Sequence, residues 1–183
     1  MSVSELKKNS TVILLWCWVA LLSSSLAQNP PLMPTLAGDS LAGTKVVLPD
    51  AAAGKVAVLI FGFTHASKVP TGAWADKIRA DFGTRPSFEI YQLPVLEDVP
   101  RFVRGMVTSG IRKGVPENVR DHFIPILHGE ADLKKLVSYK EQDDAYIVIL
   151  GRTGTIVQKT HGVLNDANYA PVKSQIESLL KEK

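Results

Sequence analysis

From Val56 to Phe63 the chain reads Val-Ala-Val-Leu-Ile-Phe-Gly-Phe, apolar at every position apart from the one glycine. That is the pattern of a strand covered on both faces, as in a parallel or mixed sheet. Ser87–Leu93 alternates with period two and stops at Pro94, which predicts a second central strand. Between them Thr64–Gly72 is polar and reads as a loop. Ala73–Phe82 then places Trp74, Ile78 and Phe82 on one helical face, with Gly83 near the end. Pro100–Ile111 has helical spacing, with Phe102, Val103, Met106 and Val107 as its apolar face. Phe123–Leu127 is a short strand whose Pro125 assigns it to an edge. Ala131–Val137 predicts a short helix. Tyr146–Leu150 and Thr155–Lys159 flank Gly151-Arg-Thr-Gly154, a hairpin signal, and Ala170–Lys183 repeats Val172, Ile176, Leu179 and Leu180 at helical spacing.

Ahead of this body, Gln28–Leu48 carries Pro30, Pro31, Pro34, Gly38 and Gly43 and reads as an extended lead-in that ends in a short strand, Val46–Leu48, stopped by Pro49. The expected organisation is therefore a signal segment (1–27), a lead-in (28–48) and one α/β domain (49–183), a central mixed sheet with helices on both faces. The signal reading rests on Lys7 and Lys8, the apolar run Thr11–Leu22, and small residues at Ser25 and Ala27. The apolar run is shorter than the roughly 20 residues of a membrane span and ends in serines, which favours cleavage near Ala27 and export over a retained anchor. Cys17 is not a lipidation site, because bulky Trp16 precedes it.

Cleavage changes the chemistry more than the charge. The chain's 21 basic and 18 acidic residues would lose two and one, leaving a net charge of about +2, too small to argue for nucleic acid. Its single cysteine, Cys17, would leave with the signal, so no disulfide can form and packing alone must hold the fold.

Three constellations invite a functional reading. His65, Ser67 and Lys68 share one polar loop and would suit a nucleophilic site, but no orienting acid or oxyanion motif lies nearby in sequence; a loop that caps the following helix through Ser67 or Thr71 explains them more simply. The histidines at 65, 122, 128 and 161 lack ligand spacing, and only Met33 and Met106 would remain as soft sulfur ligands after cleavage, so neither a metal nor a cofactor is expected. Arg101, Arg104, Arg112, Lys113 and Arg120 cluster between the second strand and the hairpin, a face for an acidic protein segment or an anionic lipid headgroup, although Glu97, Asp98, Glu117 and Asp121 are interleaved.

The order strand, helix, strand, helix, hairpin, helix over about Pro49–Leu180 resembles the thioredoxin-like superfamily. The segment Ala145–Val157 is similar to the strand–turn–strand ending of its peroxiredoxin-like branch. Within that branch Lys55–Phe61, Ile111–Phe123 and Tyr146–Val157, with Gly162 shortly after, resemble the ATP10 family of ATP-synthase assembly factors. The resemblance implies a redox loop at Thr64, His65, Ala66, Ser67, Lys68 and Val69, with Ala66 and Val69 in the places of the usual cysteines. Thr64 would correspond to a peroxiredoxin threonine without its cysteine, and Ala145 stands where a cis-proline usually faces the site. Disulfide exchange and thiol peroxidase chemistry are then excluded for the mature chain. The expected function is an exported, redox-inactive module that binds or assembles a protein partner, with membrane association only if the N-terminal segment stays. The alternatives are an enzyme of another class using the His65/Ser67/Lys68 loop, or a metal carrier.

Overall fold

The computed structural model describes residues 30–182; the signal segment 1–27 lies outside them. Six strands and four helices follow one another as β1 (Leu36–Asp39), β2 (Lys45–Leu48), β3 (Val56–Gly62), α1 (Lys68–Phe82), β4 (Phe88–Pro94), α2 (Arg101–Gly114), α3 (Glu130–Leu136), β5 (Ala145–Leu150), β6 (Ile156–Gly162) and α4 (Asp166–Lys181). The main sheet has the order β4-β3-β5-β6; β4 runs parallel to β3, while β5 and β6 are antiparallel to their neighbours.

β3 is central, and its period-two side chains feed two separate cores. Ala57, Leu59 and Phe61 join Tyr146, Val148 and Leu150 of β5 on one face, under Leu48, Ile124, Ile126 and Leu133. Val56, Val58 and Ile60 join Ile147 and Ile149 on the other, under Trp74 and Ile78 of α1 and Val172 and Ile176 of α4. Helices thus lie on both faces of a mixed sheet. α1 and α4 are tied at their solvent side by Asp81, whose Oδ2 accepts from the Tyr169 hydroxyl at 2.8 Å and whose Oδ1 accepts from Lys77 Nζ at 3.1 Å. The Tyr169 hydrogen bond, with Lys77 and Lys173 beside it, holds the Asp81 carboxyl below the usual carboxylate range. Burial, followed by the Asp81 carboxylate, pushes the Tyr169 phenol up.

The structure corrects several boundaries. The lead-in is no loose extension: β1 and β2 pair antiparallel from Leu36↔Leu48 to Asp39↔Lys45, and Met33, Leu41, Val46 and Leu48 are buried. The segment belongs to the domain, and Gly38 shows why the hairpin fits, since a Cβ there would stand 2.7 Å from Ile124 Cγ2. α1 starts five residues earlier than the apolar spacing predicts. Its Pro70 sits in the first turn, where no intrahelical donor is lost. α4 likewise starts at Asp166, because Asn165 and Asn168 form a reciprocal capping box ahead of Pro171.

Phe123–Leu127 forms no full strand but makes isolated parallel bridges to β4. Ile124 N and Ile126 N donate to Gln92 O and Pro94 O at 2.9 and 2.8 Å, which leaves the donorless Pro125 facing away from the ladder. Among the described residues no helix is long and apolar enough to cross a membrane.

Candidate functional site

The βα turn at the carboxyl end of β3 is where an α/β sheet most often offers a site. Here Thr64-His-Ala-Ser67 closes that turn with its own hydroxyls. Thr64 Oγ1 accepts from Ser67 N at 3.1 Å, Ser67 Oγ accepts from Thr64 N at 3.3 Å, and Ser67 Oγ donates to Thr64 O at 2.7 Å. This reciprocal box satisfies donors of the turn ahead of Lys68, while Ser67, at the N-cap position of α1, makes no side-chain cap to the helix. Thr71 Oγ1 donates back to Ser67 O at 2.8 Å. Ser67 is 1% exposed and lies against Gly62, where a Cβ would come within 2.6 Å of its hydroxyl oxygen.

That geometry leaves Ser67 a poor nucleophile. Its proton goes to a backbone carbonyl and its oxygen faces the protein interior. His65, Ala66, Lys68 and Val69 all point to solvent, Val69 at 77% exposure, so the loop does not gather His65, Ser67 and Lys68 into one constellation.

Thr64 is instead linked across the turn. Its hydroxyl donates to Asp143 Oδ1 at 2.7 Å, from a residue 79 positions away. The neighbouring Asp144 Oδ2 lies 2.6 Å from His161 Nδ1, and the His161 ring stacks on Tyr146 at 5.4 Å between centroids. The Tyr146 hydroxyl accepts from Lys140 N and Glu141 N and donates to Glu141 O, which fixes the loop ahead of β5. That loop, Lys140–Asp144, lines a shallow polar hollow beside the turn. Phe63, Tyr139 and Tyr146 pack edge-on or stacked at 5.0–5.5 Å, with Lys134 Nζ 4.8 Å from the Tyr139 ring centre. A hydrogen bond to Glu130 raises the Lys134 ammonium above its ordinary range. Sequence reading missed Asp143, Asp144, Tyr146 and His161 because only the β3–β5–β6 register, Phe61↔Tyr146↔His161, brings them together.

Two histidines are carboxylate-paired, His161 as above and His122 with Glu89 Oε2 at 2.7 Å. Among the described residues no group of three or more His, Cys, Asp or Glu is arranged to hold a metal ion. Met33 is buried and Met106 exposed.

The five cations separate into two groups. Arg104 donates to Val99 O and Glu97 O at 2.8 and 2.7 Å, and Arg120 donates to Val115 O at 3.0 Å and pairs with Glu117. Both brace the ends of α2. Arg101, Arg112 and Lys113 are exposed, with no side-chain hydrogen bond or ion pair among the described residues. α2 itself has no buried residue, and Phe102 and Met106, expected on an inward apolar face, are 89% and 76% exposed. Val103, Val107 and Ile111 form a half-buried stripe along another side of the helix.

No family model matches the chain, and no curated protein matches it in sequence. Solved structures do match. A protein from Chlorobium tepidum described as the thiol:disulfide interchange protein DsbE is 16% identical, with 82% of this chain and 96% of that one covered at a TM-score of 0.58. BsSco, a member of the Sco family of cytochrome c oxidase assembly proteins, is 14% identical over 84% of this chain and 96% of its own, with a TM-score of 0.57. The exposed lipoprotein thioredoxin Etrx1 of Streptococcus pneumoniae is 13% identical over 76% and 98%, with a TM-score of 0.55. At these identities the likeness is one of architecture, and the architecture is the thioredoxin-like fold.

Proposed function

We propose that this chain is an exported thioredoxin-like module that holds a protein partner during assembly and performs no thiol chemistry. One observation carries the reading. The turn that would present a reactive thiol is closed by the Thr64–Ser67 hydrogen bonds, and residues 30–182 contain no cysteine at all. A thiolate is the nucleophile in disulfide exchange, and the two hydroxyls of this turn, Thr64 and Ser67, cannot form a disulfide in its place. Two other points support it. BsSco is an assembly protein on the same fold and Etrx1 an exposed lipoprotein, so the scaffold serves both outside the cytoplasm and in assembly. The resemblance of Ile111–Phe123 and Tyr146–Val157 to ATP-synthase assembly factors supports reading the partner as a subunit of a complex under construction.

The test is capture of the partner by tagged protein from a detergent extract of a host that exports it, once with excess reductant and once with a thiol-blocking reagent. The bait is expected to begin at Gln28 by mass spectrometry and to retain the same partner in both conditions. Ser67→Ala should cost about 1–2 kcal/mol of stability through the lost hydrogen bonds to Thr64 N and Thr64 O and leave capture intact. A partner held only through a mixed disulfide, or a turnover abolished by Ser67→Ala, would reject the reading.

A further inference from the structure

We infer that α2 is a peripheral membrane-docking helix that lays its outer stripe on an anionic lipid surface, and that this docking does not require residues 1–27. Its sequence, Arg-Phe-Val-Arg-Gly-Met-Val-Thr-Ser-Gly-Ile-Arg-Lys-Gly, carries four cations and no carboxylate. Phe102, Met106, Ser109 and Lys113 are spaced i, i+4, i+7, i+11 and share one face. All four are exposed, while Val103, Val107 and Ile111 form a second, half-buried stripe. A helix anchored by one apolar stripe has no structural need for a second that offers a phenylalanine and a methionine to water. Cations beside such a stripe are the makeup of helices that lie in the plane of an anionic bilayer interface.

Charge and geometry together choose the occupant. The three free cations, Arg101, Arg112 and Lys113, stand at both ends of the helix, and of the acids interleaved around it Glu97 accepts from Glu130 N, Glu117 pairs with Arg120 and Asp121 accepts from the Thr44 hydroxyl. Dispersed charges around a convex apolar ridge match a plane of headgroups, into which aromatic and thioether side chains sink while Arg and Lys stay at the surface. A protein groove would be matched by a narrower set of directional pairs. The two bracing arginines, Arg104 and Arg120, hold the ends of the ridge in place for contact with a flat surface.

The inference goes beyond partner capture and is tested without any partner. The exported chain carrying Cys17→Ser and Ser109→Cys takes an environment-sensitive fluorophore at position 109, on the outer stripe. It is mixed with vesicles of phosphatidylcholine alone, or of phosphatidylcholine with roughly one-third phosphatidylglycerol. The expected result is a blue shift and quenching by spin-labelled lipid on the anionic vesicles only, lost at about 0.5 M salt, where the screening length falls to a few ångströms. Arg101→Glu, Arg112→Glu and Lys113→Glu together should weaken the vesicle affinity by about 100-fold or more, at roughly fivefold per cation. Phe102→Ser with Met106→Ser should weaken it at least tenfold, by about the loss of one large buried side chain.

A label that stays water-exposed at saturating anionic lipid overturns the inference, and so does an equal response on neutral vesicles. A label shielded without lipid also overturns it, in favour of a second copy if shielding grows with protein concentration, or of another segment of the same chain if it does not. A response to polyglutamate in place of vesicles assigns the stripe to an acidic protein instead. Lost vesicle binding with detergent-resistant capture intact removes only this inference, whereas the reverse removes the assembly reading.

Discussion

Replacing Trp74 with alanine is expected to destabilise the fold by about 3–5 kcal/mol, the range for emptying a fully buried aromatic site. Trp74 has no exposed surface, and its ring meets Tyr169 of α4 at 6.0 Å between centroids. Its Nε1–H donates to Gly162 O at 2.9 Å, so one side chain joins α1, α4 and the end of β6. The alanine leaves a cavity between three elements and strips the Gly162 carbonyl of its donor. Trp74→Phe keeps most of the packing and should cost about 1–2 kcal/mol, mainly the lost hydrogen bond. Urea unfolding of both variants, with unchanged slopes, measures the difference. A Trp74→Ala cost below about 1 kcal/mol would mean that α1 does not pack on β6 as described.

The second large effect is at the candidate site. Gly62→Ala should destabilise by about 1–3 kcal/mol, because the new methyl group must displace the Ser67 hydroxyl from its box. The new Cβ would stand 2.6 Å from Ser67 Oγ and 3.1 Å from Thr71 Cγ2. In a Ser67→Ala background the hydroxyl is gone and the nearest remaining atoms are Thr71 Cγ2 at 3.1 Å and the residue-67 Cβ at 3.5 Å, so the same change should cost less. The double-mutant cycle is expected to show coupling of about 1 kcal/mol or more in favour of the pair. Additive costs would show that Ser67 is free to rotate, and with it that the turn is open to chemistry.

Much of the sheet was legible because strand burial leaves a direct mark on sequence. β3 is apolar throughout and is central, and the Gly151–Gly154 hairpin joins β5 to β6 as its turn residues predict. β1 was not legible: Leu-Ala-Gly-Asp has little strand character, and its pairing is imposed by β2 and by the space beside Ile124. The start of α1 was missed because Thr64 and Ser67 form a box without the usual Glu or Gln at its third position, and Pro70 reads as loop when it is in fact a first-turn residue.

Helix periodicity placed an apolar face on α2 but could not say which part of it meets the body. Half-burial of Val103, Val107 and Ile111 and exposure of Phe102 and Met106 are properties of docking, not of spacing. The turn Thr64–Ser67 follows β3, with Lys68 and Val69 already in α1, and its bond to Asp143 and the Asp144–His161 pair beside it depend on strand register that no local pattern carries. The five cations looked alike in sequence. Backbone carbonyls at 97, 99 and 115 engage two of them, a distinction that only three dimensions supply.

The measurement that reaches the central claim most directly removes the chain's only thiol. Full-length Cys17→Ser protein, produced beside wild type in an exporting host, should capture the same partner in the same amount. Both proteins should reduce insulin disulfides and peroxide no faster than buffer, because the folded domain offers no thiolate to either. Capture or turnover present in wild type and lost in Cys17→Ser would contradict the account, by placing the working group in the one residue that the thioredoxin-like body does without.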